Sequence, residues 1–105
     1  MVRRLDERVL RVTTKVLTED RMKSTILKYL YDKNDATKTM DVYDAVSKVV
    51  KVGSYPNFVK TLKILERDGL IASIKPLGNS KSLYWELTDL GREIVERMLK
   101  LEEQS

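Results

Sequence analysis

Between Ser54 and Gly91 the chain changes its periodicity twice, and that order narrows the fold more than any other feature. Over 55–68 the apolar residues recur at helical spacing. Phe58, Leu62 and Leu65 fall on one face, while Lys60, Lys63 and Arg67 point the opposite way. Gly69 follows, a residue suited to end a helix in the left-handed conformation. Two strand-like runs come next, 70–75 and 82–87. In the second, Leu83, Trp85 and Leu87 alternate with Tyr84 and Glu86, as in a half-buried strand. Pro76-Leu77-Gly78-Asn79-Ser80-Lys81 is the loop between them, and Thr88 caps a final helix to about Glu103. Helix, small hairpin, helix places a cationic helix and a basic loop side by side.

Upstream, Leu5, Val9, Val12 and Val16 form a helical stripe over 3–17, widened by Leu10 and Leu17. Thr18 or Asp20 is suited to cap a second helix reaching Asp32, with Met22, Ile26, Tyr29 and Leu30 inward. Residues 33–38 read as a polar turn. Thr39 is a candidate cap for a third helix whose apolar side is Val42, Val46, Val49 and Val50, with Gly53 at positive φ in the turn that follows. The fourth helix starts at Ser54 or Tyr55, with Pro56 in its first turn, where a missing N–H costs nothing. The last helix carries Leu90, Ile94, Met98 and Leu101 as its stripe, beside Val95 and Leu99.

Charge is distributed unevenly. Residues 48–82 hold seven cations against two anions, for a balance of +5, whereas 83–105 balance to −3. A basic middle and an acidic end point to a one-sided anion-binding surface. Histidine and cysteine are both absent. That removes the usual general base, thiolate chemistry and the commonest metal ligands, so neither an enzyme nor a cofactor is expected. No apolar run reaches the length of a membrane span, and Met1-Val2-Arg3-Arg4 leads into a charged helix, so a cytoplasmic location is expected. Three Asn and one Gln beside abundant Lys, Arg and Glu fit a thermophile's composition. Gly-Asn-Ser-Lys-Ser (78–82) lacks the spacing of a phosphate-binding loop.

The order of these elements resembles a winged helix-turn-helix domain. The residues that carry the likeness are 26–30 (Ile-Leu-Lys-Tyr-Leu), 41–46 (Asp-Val-Tyr-Asp-Ala-Val), 62–71 and 85–91. A helix end of the form Leu-Glu-x-x-Gly-Leu-Ile, followed after a hairpin by Leu-Thr-x-x-Gly, is typical of MarR-like and PadR-like regulators. It is also similar to small dimeric winged-helix proteins of archaea and their viruses and plasmids. The resemblance covers 21–91 and implies a mainly α fold with a small β-hairpin, in one domain spanning 1–105. Residues 21–87 would form the winged core, with 3–17 and 88–103 as flanking helices. One departure is the connection from Ala45 to Phe58, roughly three residues longer than the tightest helix-turn-helix spacing.

On this resemblance the helix over 55–68 is a recognition helix for the major groove of double-stranded DNA. Asn57, Lys60 and Thr61 are candidates for base edges, with Tyr55 at the rim. Lys63 and Arg67 lie farther along and suit phosphates. Lys75, Asn79, Ser80 and Lys81 belong to the wing over 75–82, suited to backbone or minor groove. Leu5, Val9, Val12 and Val16, together with Leu90, Ile94, Met98 and Leu101, are candidates for the seam of a homodimer, because an uncovered apolar stripe needs a partner. The expected function is a homodimeric, sequence-specific transcriptional regulator. The alternatives are a non-specific chromatin protein and a winged-helix protein-interaction module.

Overall fold

Four of the five described helices begin where a side chain accepts a backbone N–H that the helix leaves unpaired. Asp6 accepts from Arg8, Asp20 from Lys23, Ser54 from Asn57 and Thr88 from Gly91. The computed structural model describes residues 6–76 and 82–104. Its elements run α1 (Glu7–Glu19), α2 (Arg21–Lys33), β1 (Thr37–Lys38), α3 (Thr39–Ser47), α4 (Tyr55–Arg67), β2 (Ile71–Ile74), β3 (Tyr84–Leu87) and α5 (Asp89–Glu103).

α3 is the exception among the caps. Its N-cap is Lys38, which makes no side-chain capping bond, so the expectation for Thr39 is corrected. The Thr39 hydroxyl is drawn to the sheet instead: it donates to the Leu83 carbonyl (3.0 Å) and accepts the Trp85 indole N–H (2.7 Å). α3 also stops at Ser47, which leaves Val49 62% exposed on the long turn and not on the apolar side expected for it.

β1 lies where the sequence reads as a turn. It pairs antiparallel with β3, Thr37 opposite Trp85, and β2 pairs on the other side of β3, Ile71 opposite Leu87. The sheet order is therefore β1-β3-β2. Trp85 on the central strand reaches a core shared by Ile26, Leu27 and Leu30 of α2, Val42 and Val46 of α3, Phe58, Leu62 and Leu65 of α4, and Ile94, Val95 and Met98 of α5. Each such side chain contributes about 1.5–3 kcal/mol through removal from water.

The Leu-Thr-x-x-Gly signature is a joint between α4, β2 and α5. Gly69 ends α4 at φ +79°, where a side chain would be strained. Thr88 donates its backbone N–H to the Leu70 carbonyl (3.1 Å) and its hydroxyl to the Gly69 carbonyl (2.6 Å). At Gly91 a β-carbon would sit 2.0 Å from the Leu70 carbonyl oxygen, so only glycine lets α5 start against that turn.

α1 and α5 pack on each other and on α2. α1 turns Leu10, Thr14 and Leu17 inward; the Thr14 hydroxyl disappears into a bond to the Leu10 carbonyl (2.7 Å), which lets a polar residue be buried there. Val9, Val12 and Val16 face out. Ile94 and Met98 are fully buried within the chain's own core, which corrects their assignment to a dimer seam; Leu90 packs against that core, and Leu101 is exposed. Leu5 lies outside the described residues. A polar clasp fastens the two helices: Arg97 donates to both Glu7 carboxylate oxygens (2.6 and 2.8 Å) and more weakly to Glu93 (3.5 Å). Its hydrogen bonds hold the Glu7 carboxyl below its ordinary range. Lys28 pairs with Glu102, and the Tyr31 hydroxyl donates to Glu96.

Candidate nucleic-acid interface

α4 splits cleanly into two chemistries. Phe58, Leu62 and Leu65 are fully buried, while Lys60, Lys63 and Arg67 project into solvent on the opposite side. With Pro56, Val59 and Ile64 these cations border a shallow cleft along the outer surface of the helix. Arg67 keeps 73% of its side chain exposed while reaching the adjacent Asp68 at 3.4 Å. That weak exposed pair leaves the guanidinium available to other anions.

Aromatic packing sets the helix against its neighbour. The Tyr43 ring of α3 meets Tyr55 and Phe58 edge-on, each at 5.2 Å between centroids. Aromatic rings favour such edge-to-face arrangements, so these contacts help hold α4 against α3. At the other end, Ser73 of β2 donates to Glu66, tying α4 to the hairpin. Glu66, the anion among these cations, is thereby turned toward the sheet.

The remaining expected contacts fall as follows. Asn57 is exposed in the first turn of α4, and Tyr55 beside it is 37% exposed. Thr61 is half-buried, and its hydroxyl donates to the Asn57 carbonyl (3.2 Å), so one hydrogen-bonding direction of that side chain is already used. Lys75 is exposed just beyond β2. Asn79, Ser80 and Lys81 lie outside the described residues.

Three residues that the sequence reading passed over share this surface. Lys38, Met40 and Val59 line a groove between the start of α3, the first half of α4 and the start of β3. Their signal was faint. Val59 sits on the flank of the α4 pattern, and Lys38 and Met40 take their place from β1 pairing with β3.

No family model matches the chain, and no curated protein matches it. Solved structures do. NadR in complex with 4-hydroxyphenylacetate aligns with a TM-score of 0.70 at 14% identity, over 99% of this chain and 79% of the other. The MepR–DNA complex of Staphylococcus aureus aligns at 0.67 and 20% identity, over 92% and 82%. The transcriptional repressor CouR, bound to a 23-mer DNA duplex, aligns at 0.64 and 24% identity, over 92% and 72%. The chain shares the winged-helix fold of these proteins, the architecture expected from the helix ends and the hairpin.

Proposed function

We propose that this chain is a homodimeric, sequence-specific DNA-binding transcriptional regulator. The observation that carries this reading is the outer side of α4, where Lys60, Lys63 and Arg67 stand exposed along a helix whose other face is buried. Two of the similar structures are complexes with DNA, which supports the same reading. α4 enters the major groove, about 12 Å wide. Asn57, Lys60 and Thr61, near its start, approach base edges, with Tyr55 at the rim. Asparagine can pair with adenine through two bonds and lysine can read guanine, so these types discriminate sequence. Lys63, Arg67 and Lys75 hold phosphates, and Asn79, Ser80 and Lys81 extend the contact along the wing.

The dimer seam is built on Val9, Val12 and Val16 of α1 with Leu101 of α5, all exposed in the isolated chain, together with Leu5. Two-fold pairing places the recognition helices about 34 Å apart, or a multiple of it, and so requires a pseudo-palindromic site. Regulation needs no catalysis here, because occupancy of a promoter suffices. A protein of this kind works in the cytoplasm.

Selection of bound duplexes from a random library tests the reading. Enrichment of a two-fold symmetric motif is the expected outcome. Binding without enrichment would make the chain a non-specific chromatin protein. Absence of DNA affinity would leave a protein-interaction module.

A further inference from the structure

On the flank of α4 nearest the sheet, a groove of about 390 Å³ runs past the start of α3 and the beginning of β3. Its walls are mainly apolar, with Lys38 and Ser82 also in the lining. Met40 is 50% exposed, and Tyr55, Val59 and Leu83 each leave part of their side chains uncovered along it. Three of its lining residues, Thr39, Leu83 and Trp85, engage their polar atoms with one another. The Trp85 indole N–H donates to the Thr39 hydroxyl, and both the hydroxyl and the backbone N–H of Thr39 donate to the Leu83 carbonyl, at 3.0 and 3.1 Å. A polar group placed against Met40 and Val59 would give up water without a comparable partner, whereas an apolar group would not.

We propose that the groove receives the 5-methyl group of thymine, and that Met40 and Val59 thereby set a thymine preference in the bound site. This rests on the reading of α4 as a recognition helix and deepens it. Two observations favour DNA as the occupant. The groove is continuous with the first half of α4, the part that approaches base edges. A cation also borders it, with Lys38 in the lining. A mainly apolar surface beside a cation complements a duplex, whose phosphates lie outside and whose major groove offers one methyl group per thymine. Neither Met40 nor Val59 is needed to seal the core, so their apolar character at this surface calls for a contact.

The test uses the full chain and a duplex recovered by selection from a random library. Each thymine is replaced in turn by deoxyuridine, which keeps every hydrogen-bonding group and lacks only the methyl. Burial of a group of that size corresponds to about fourfold in affinity, so one thymine in each half-site should show a loss of that order when replaced. Met40→Ser and Val59→Thr, both at solvent-accessible positions, should keep the melting temperature and shrink the thymine–deoxyuridine difference toward none. The proposal is overturned if every deoxyuridine duplex binds like its parent. It is equally overturned if the difference survives at full size in both variants, or if selection fixes no thymine. Failure of the unmodified chain to bind any duplex is a separate result, which would remove the recognition-helix reading itself.

Discussion

α1 and α4 have the same length, 13 residues, and each buries one side against the same core, yet their outer sides differ: both carry exposed cations, and α1 alone adds an exposed row of valines. α1 shows solvent Val9, Val12 and Val16; α4 shows Lys60, Lys63 and Arg67. Amphipathic spacing reports only that a helix has an inner side. What the outer side is for depends on its residue types. An exposed row of valines asks for another apolar surface, and an exposed row of cations asks for a polyanion. The two proposed partners, a second copy and a duplex, are assigned to two helices of one size.

The largest effect should come from inverting the chemistry of α1. Val12→Asp with Val16→Asp sets uncompensated charges into the seam, at a cost of several kcal/mol. Sedimentation should show a dimer becoming a monomer with little change in helical content; a variant that stays dimeric would locate the seam elsewhere. Next is the frame that both helices share. Gly91→Ala drives a β-carbon against the Leu70 carbonyl, and overpacking of this sort costs about 1–3 kcal/mol, read as a lower melting temperature. DNA affinity of the folded fraction should change far less.

On the α4 side, Lys60→Ala should weaken DNA binding by about 1–3 kcal/mol while leaving thermal stability intact. Equal affinity would take Lys60 out of the interface. The smallest effect is expected at the clasp. Because Arg97 lowers the Glu7 carboxyl in the folded chain, the pair adds stability above the ordinary carboxylate range and loses it as pH falls through the lowered value. Glu7→Gln should therefore lower the melting temperature slightly at neutral pH, with the gap closing in strong acid. A gap that persists there would assign the effect to packing.

Local chemistry made most of this fold legible. Ser54, Thr88 and Gly69 act over a turn or less, and the α4 stripe repeats at the helical period, so these caps, the two strands of the hairpin and the amphipathic α4 are legible directly from the chain. β1 could not. Two residues are too few to show alternation, and their strand character comes from pairing with β3, far along the sequence. The Arg97–Glu7 clasp joins residues 90 apart and leaves no local trace. α1 offered two apolar rows, and the choice of Leu10 and Leu17 as the inner one was made by α5 and α2. Met98 and Ile94 were misassigned for the same reason, since a stripe does not say which copy covers it. The groove beside α4 leaves no local trace because its lining comes from β1, α3, α4 and β3 together.

The dependence of DNA affinity on salt, measured for the unmodified chain and for Lys63→Ala, tests most directly whether the outer side of α4 meets phosphate. The logarithm of affinity should fall steeply and linearly with the logarithm of salt, and the variant's slope should be shallower by about one. Affinity that ignores salt, or two slopes that coincide, would contradict the account.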